Sequence, residues 1–161
     1  MNNKDNYFQA WGENNGQLTE IDDPTRAQNF GEQLLDNFKS YARITYNNDD
    51  ALIPGFIDAA ILAIEQALEF PIVPRKWEWT VSDVNLGWPA YEVPFRNSKS
   101  QGQNYDWFPA RGRVIINPPS SWPVEILTGY DSTDKIPPDL LLAIYALSST
   151  YEQARTATDI A

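Results

Sequence analysis

An apolar stripe runs from Ile53 to Leu68, and its members lie three or four residues apart. Side chains at this spacing share one face of an α-helix, so the stripe predicts a long amphipathic helix that ends near Phe70. Alanines at every fourth position form a second, smooth face on which another helix can pack closely. Pro54 and Gly55 interrupt the start of the pattern, because a proline beyond the first turn removes a backbone hydrogen bond. We therefore expect regular helix only after Gly55.

Two further segments carry the same helical spacing. One predicted helix runs from about Phe30 to Arg43, and another begins after Pro138 and ends near Arg155. The apolar positions of these two helices are Phe30, Leu34, Phe38, Tyr41, Leu140, Ile144, Leu147 and Tyr151. Three amphipathic helices are enough to predict a helical bundle with a shared core.

Between the second and third helices the pattern changes to alternation. Trp77, Trp79 and Val81 alternate with polar residues, which predicts a half-buried strand. Two further short strands are predicted at 113–116 and 124–127, joined as a hairpin by a proline-containing turn.

A long insert separates the tryptophan strand from this hairpin. Residues 82–112 are rich in Pro, Gly, Asn and Ser, with one possible strand at 91–95 and a polar tip at 97–104. The expected fold is therefore α+β, mainly α with a small β component. We expect a compact bundle of three main helices, a short antiparallel sheet or hairpin, and a long irregular insert.

The composition excludes much familiar chemistry. The chain has 161 residues, the size of one ordinary domain, and contains neither Cys nor His. It therefore has no thiol nucleophile, disulfide, His-ligated zinc or Ser-His-Asp triad. Twelve Lys and Arg stand against 22 Asp and Glu, and a net charge of −10 repels phosphate backbones. We expect a soluble chain, since there is neither an apolar signal core nor a run near the ~20 apolar residues of a membrane helix.

Carboxylate pairs are the catalytic groups that this composition supplies in quantity. The pairs are Asp22 with Asp23, Asp49 with Asp50, and Glu65 with Glu69. The first two are interpreted as caps near helix starts, and the third as a solvated pair on a polar helix face. No spacing fits a calcium-binding EF-hand loop or a phosphate-binding loop. The residues therefore predict no catalytic site, no metal site and no cofactor.

Six tryptophans leave two interpretations open. Trp77 and Trp79 share one strand face and are predicted to be core or subunit contacts. Trp88, Trp107 and Trp122 lie near prolines in irregular segments, and are predicted to fix loops or to contact a neighbouring chain. The alternative is that indole rings stack on sugars, as in a carbohydrate-binding module or a carboxylate glycosidase.

Several short segments follow one another in a recognisable order. They are Ser40–Ile44, Asp49–Ile53, Arg75–Trp79, Leu127–Tyr130 and Ile136–Leu140. In order and spacing they resemble the head-to-tail connector, or adaptor, family of tailed bacteriophages. The resemblance covers a connector domain at 30–155, which leaves an N-terminal arm at 1–29 and a C-terminal tail at 156–161.

The resemblance implies a structural virion protein that is not an enzyme, located in the neck between capsid and tail and present in the host cytoplasm during assembly. Copies are expected to form a ring, a dodecamer, bound to the portal protein on one side and to a tail or stopper protein on the other. Phage DNA would pass through during packaging and ejection without specific binding, and no membrane is involved. We hypothesise that acidic groups face the channel, because an acidic wall repels DNA and lets it slide.

Interface residues are expected among aromatic side chains of irregular segments and near helix ends. The candidates are Trp11, Arg43, Trp88, Phe95, Tyr105, Trp107, Phe108, Trp122, Tyr151 and Arg155. The polar tip at 97–104 with its flanking aromatics is one candidate surface. The arm at 1–29 is another, because few residues follow the last predicted helix.

Overall fold

The computed structural model describes residues 17–69, 71–80, 91–94, 99–101, 105–108, 113–116 and 124–160. Within these residues the helices are α1 (Phe30–Gln33), α2 (Leu35–Ala42), α3 (Ile53–Leu68) and α4 (Pro138–Ile160). The strands are β1 (Gln17–Ile21), β2 (Arg75–Thr80), β3 (Tyr91–Pro94), β4 (Lys99–Gln101), β5 (Tyr105–Phe108), β6 (Arg113–Ile116) and β7 (Val124–Thr128). A short 3-10 turn, Thr133–Lys135, precedes α4. The predicted α+β class is confirmed.

The predicted first helix is divided in two at Leu34, which has a φ of −91° and a ψ of 0°. The apolar stripe is confirmed for Phe30, Leu34 and Phe38, all of which are buried. Tyr41, predicted to continue the stripe, is instead 46% exposed. It lies in the last turn of α2, at the edge of the core, where its ring is 5.6 Å from that of Tyr145.

α3 begins at Ile53, and Pro54 occupies its first turn, where the missing N–H has no intrahelical acceptor to lose. The expectation that regular helix begins only after Gly55 is therefore wrong. Ile53, Ile57 and Ile61 are buried, as the stripe predicts. α3 packs against both α1 and α4, which places it at the centre of the helical layer.

α1 approaches α3 closely because Gly31 has no side chain. The Gly31 N–H donates to Asp58 Oδ1 at 3.0 Å. A Cβ at this position would collide with the carbonyl oxygen of Pro54 and with the Asp58 carboxylate. The close crossing of the two helices therefore requires glycine here.

α4 continues to Ile160, so the predicted tail from residue 156 is helical through residue 160. Ile144 is buried, while Leu140, Leu147 and Tyr151 of the predicted stripe are half-buried. No helix in the described part of the chain is long and apolar enough to cross a membrane. The buried core consists of Phe30, Leu34, Phe38, Ile53, Ile57, Ile61, Ile72, Ile136, Ile144 and Tyr145.

The described strands form two antiparallel sheets, in the orders β1-β2-β7-β4 and β3-β6-β5. β6 and β7 lie in different sheets, so the predicted hairpin between them is wrong. Trp77 and Trp79 of β2 are each 2% exposed, which confirms their placement in the core. β7 pairs with β2, with Ile126 opposite Trp77, whereas β6 pairs with β3 and β5.

Strands also occur where the sequence predicted none. β4 lies within the polar tip at 97–104 and pairs with β7, and β5 lies near the end of the insert. β3 confirms the short strand predicted at 91–95. β1 belongs to the predicted arm and pairs with β2, with Leu18 opposite Trp79. Leu18 is buried, so residues that showed no strand periodicity contribute to the core.

Candidate functional site

A buried arginine fixes the segment that follows β1. Arg26 donates from Nε to Asp23 Oδ2 at 2.6 Å and from Nη1 to Asp131 Oδ1 at 3.2 Å. Its Nη2 donates to the backbone carbonyl of Arg75 at 2.8 Å. One guanidinium thus joins the N-terminal segment to β2 and to the loop before α4, in the multidentate geometry that only arginine offers.

Two further contacts hold the same segment. Arg75 Nη1 donates to Glu20 Oε1 at 2.8 Å, and Gln28 Nε2 donates to the carbonyl of Pro74 at 2.9 Å. Residues 17–29 are therefore docked on the sheet rather than extended away from it.

The carboxylate of Asp23 is almost completely buried beside Arg26. Burial alone would raise the pKa of Asp23, but hydrogen bonds from Arg26 and Thr25, together with the charge of Arg26, hold it below its ordinary value of 3.8. Asp23 is therefore a structural anion, because its ionised form is the one that binds Arg26.

A groove of about 640 Å³ lies beside this segment, lined by Glu20, Ile21, Asp22, Asp23, Pro24 and Gln28. The loop before α4 lies next to it, since Asp131 contacts Arg26 and Thr133 Oγ1 donates to Gln33 Oε1 at 3.4 Å. We call the exposed carboxylates around the start of α1 the acidic face. It consists of Glu20, Asp22, Glu32, Asp131 and Asp134.

The carboxylate pairs weighed for catalysis contact other groups of the fold. Asp49 pairs with Arg155 at 3.1 Å, and Asp50 pairs with Lys39 at 2.7 Å. The expectation that these two aspartates cap the next helix is wrong, because α3 begins without a side-chain cap. They instead connect the α2–α3 loop to α4 and to α2.

Glu65 corrects another expectation. It was predicted to be solvated, but it is 3% exposed. Its Oε2 accepts hydrogen bonds from the backbone N–H groups of Ile72 at 2.8 Å and Val73 at 3.1 Å. This carboxylate joins α3 to the segment that leads into β2, which is a structural role.

Exposed apolar side chains occur in the last turn of α2 and in the α2–α3 loop, away from the start of α1. Tyr41, Tyr46 and Leu52 are 46%, 48% and 50% exposed. Lys39 Nζ holds the loop between them against α2 by donating to Asn47 Oδ1 at 2.8 Å, as well as to Asp50. We call Tyr41, Arg43, Tyr46 and Leu52 the tyrosine patch.

The structure places three of the predicted interface side chains. Arg43 is exposed and follows α2, while Tyr151 and Arg155 are half-buried, one turn apart on α4. The Arg155–Asp49 pair brings the end of α4 to the loop that carries the tyrosine patch. Tyr105, Trp107 and Phe108 lie on β5, and Trp11, Trp88, Phe95 and Trp122 lie outside the described residues.

Sequence reasoning missed Arg26 and Glu65, because nothing local marks a charged residue whose partners lie far along the chain. Within the described ranges, no group of three or more metal-ligating side chains lies together. What the described surface offers is therefore two surfaces of different chemistry, one acidic and one aromatic with a cation.

Comparison with known proteins identifies the fold. A chain of the structure described as "Virion of native gene transfer agent (GTA) particle" is 18% identical, with 85% of this chain and 84% of that chain covered and a TM-score of 0.61. A chain of "Neck of native GTA particle computed with C12 symmetry" is 19% identical, with 85% and 83% covered and a TM-score of 0.57. A chain of "Neck of empty GTA particle computed with C6 symmetry" is 16% identical, with 85% and 84% covered and a TM-score of 0.54.

Comparisons of the sequence with curated proteins and with protein families complement the likeness of the fold. No curated protein matches the chain. The profile of the family described as "Phage gp6-like head-tail connector protein" matches residues 32–160, a range that holds α2 to α4 and β2 to β7. Because this match spans most of the sequence, the chain belongs to the Phage gp6-like head-tail connector family.

Proposed function

We propose that this chain is a structural subunit of a particle neck, an adaptor between the portal and the tail or stopper protein. The observation that carries the proposal is the family match over residues 32–160. The likeness of its fold to chains from neck structures of gene transfer agent particles supports the same role. In this role the protein belongs to the virion and is present in the host cytoplasm while particles assemble.

The proposed assembly is a ring of twelve copies. Support comes from the similar neck structures, which were computed with C12 and C6 symmetry. A closed ring needs two different surfaces on each copy, because head-to-tail contacts are heterologous. The portal protein and the tail or stopper protein would then bind the two ends of the ring.

The proposed role requires no catalysis. The glycosidase alternative depended on free carboxylate pairs, but Asp23, Asp49 and Asp50 are in ion pairs and Glu65 binds backbone N–H groups. Placing each of these carboxylates in a structural contact favours the adaptor role over acid–base chemistry.

The proposed channel carries DNA without binding its sequence. A net charge of −10 for each copy would make a ring strongly acidic, and acidic groups in the channel wall would repel the phosphate backbone. A ring structure with a basic channel wall would contradict this part of the proposal.

The decisive experiment is the mass of the purified chain alone and after mixing with the portal protein of the same particle, by native mass spectrometry or sedimentation. We expect a ring, formed either alone or on the portal, with copies in a fixed ratio to the portal. A chain that stays monomeric in both samples would refute the adaptor role.

A further inference from the structure

We propose that the tyrosine patch of one copy docks on the acidic face of the next copy in the ring, with Arg43 placed against the carboxylates around Asp22. The inference rests on the proposed function, since it assigns the two surfaces that a closed ring requires.

Arg43 is set apart from the other cations of the fold. Arg26, Lys39, Arg75, Lys76 and Arg155 are all in ion pairs. Among the cationic side chains that the structure describes, Arg43 and Lys135 form no ion pair. Lys135 is adjacent in sequence to Asp134 of the acidic face, so Arg43 is the unpaired cation that lies outside this face among the described side chains.

The surroundings of Arg43 have the composition of a protein interface. Tyr41 and Tyr46, which flank it in the sequence, each expose about half of their surface, and Leu52 at the end of the same loop is also half exposed. Tyrosine and arginine, with tryptophan, are enriched among the residues that dominate binding energy at interfaces. Large rings also contribute contact area at a low cost in side-chain entropy.

The acidic face has the complementary charge. Its buried cations, Arg26 and Arg75, are already bonded to Asp23, Asp131 and Glu20. Asp22 has no ion pair or side-chain hydrogen bond among the described residues, and it lines the groove beside β1. Carboxylates therefore exceed cations on this face, which leaves an anionic groove open to a cation from outside the copy.

The two surfaces lie at opposite ends of the chain segment formed by α1 and α2. The acidic face surrounds the start of α1, and Arg43 follows the end of α2. At 1.5 Å per residue, α1 and α2 together span roughly 20 Å. Arg43 and Asp22 of the same copy form no ion pair in the described structure, whereas a head-to-tail neighbour can present its own acidic face.

Charge complementarity within the same chain is what favours a second copy as the occupant. A chain with a net charge of −10 repels its own copies unless the contact places positive charge against negative charge. The tyrosine patch is the one place in the described structure where an unpaired cation and exposed aromatic rings coincide. The portal is the competing occupant, and the test separates the two.

The test is a charge exchange in the full chain. Arg43→Glu and Asp22→Arg are made singly and together, and copy number is measured by sedimentation and native mass spectrometry, alone and with the portal protein. Each single change places like charges together and is expected to weaken contact between copies roughly tenfold. The double change restores the pair in reverse and is expected to recover most of that loss.

Lys135→Glu is the matched comparison, because it changes the net charge by the same amount as Arg43→Glu but adds negative charge to the face that Arg43 is proposed to contact. It is expected to keep or strengthen the contact between copies, whereas a loss equal to that of Arg43→Glu would show that net charge alone is the cause. Tyr46→Ser, which removes a ring and no charge, is expected to weaken the contact as well. Circular dichroism and thermal unfolding verify that each exposed substitution keeps the fold.

The possible outcomes separate this inference from the proposed function. A wild-type chain that forms no ring in either sample would refute both the proposed function and this inference. Ring formation by all variants, or a double variant no better than the single ones, overturns only the pairing of these surfaces. Variants that keep the contact between copies but no longer bind the portal would assign the tyrosine patch to the portal. That result would also refute the proposed pairing between copies.

Discussion

Among single polar residues, Glu65 has a large expected effect on stability. Its carboxylate lies in the core and accepts from two consecutive backbone N–H groups, those of Ile72 and Val73. Removing a buried acceptor leaves its donors without a partner, and the desolvation cost of those donors is then not recovered.

We expect Glu65→Ala to lower the free energy of unfolding by about 2 to 3 kcal/mol. The control is Glu69→Ala, one helical turn later at an exposed position, where a change within about 0.5 kcal/mol is expected. Urea unfolding of both variants makes the comparison. Equal losses for the two variants would show that the buried carboxylate is not the cause.

The lowered pKa of Asp23 predicts that part of the free energy of unfolding depends on pH. Its pKa is lowered in the folded state, so it stabilises the fold above its ordinary pKa of 3.8, and this contribution is lost as the pH falls through the folded value. We expect Asp23→Asn to be less stable than wild type at pH 6 to 7, by a difference that shrinks at lower pH. Urea unfolding of both proteins from pH 7 to below 3.8 measures this difference, and a difference independent of pH would contradict the assignment.

The sequence could predict candidate residues but not their partners. Glu65 and Glu69 look alike in the sequence, four residues apart on one helix. They differ because the chain turns back after α3 and brings Ile72 and Val73 onto Glu65. Arg26 is similar, since its partner Asp131 lies 105 residues away. Local spacing contains no information about such contacts.

The residues that follow two of the helices have an unusual backbone conformation. α2 and α3 are both followed by a residue with a left-handed backbone, Arg43 at φ 59° and Glu69 at φ 50°. Glycine is the residue that takes this conformation without a steric cost, and it is the usual choice after a helix. Two non-glycine residues in this position therefore store strain at the helix ends.

We expect Arg43→Gly and Glu69→Gly each to stabilise the isolated chain by about 0.5 to 1 kcal/mol. The two variants should then differ in assembly. Arg43→Gly removes the proposed contact and is expected to weaken the ring, whereas Glu69→Gly should assemble as wild type does. Thermal unfolding and sedimentation measure both effects, and destabilisation by both changes would refute the argument from strain.

Helices with a strong apolar periodicity could be predicted from the sequence, whereas the pairing of strands in the sheets could not. Ile53, Ile57 and Ile61 of α3 recur about once per turn, and their burial follows directly from the spacing. β1 and β4 consist largely of polar residues because each lies at an edge of its sheet, where exposed backbone needs no apolar alternation. The hairpin prediction failed because strands of the insert pair with both of its predicted members, β3 and β5 with β6 and β4 with β7.

At the scale of the whole molecule, the net charge determines whether a channel formed by this chain attracts or repels DNA. With 22 acidic and 12 basic residues, each copy would contribute the same sign of charge to a channel. A protein that binds DNA without sequence specificity does so by exchanging counterions for lysines and arginines, with a dissociation constant of roughly 10⁻⁴ to 10⁻⁶ M. An adaptor through which DNA slides needs the opposite property, a wall on which the phosphates find no lasting partner.

We therefore expect neither the free chain nor its portal-bound ring to bind double-stranded DNA at 150 mM salt, with any dissociation constant weaker than about 10⁻⁴ M. Fluorescence anisotropy of a labelled duplex measures this, and a basic DNA-binding protein in the same assay verifies its sensitivity. Lowering the salt concentration should change little, because repulsion strengthens as screening falls. Binding that strengthens steeply at low salt would place lysines and arginines against the DNA, and the proposed acidic channel would then be wrong.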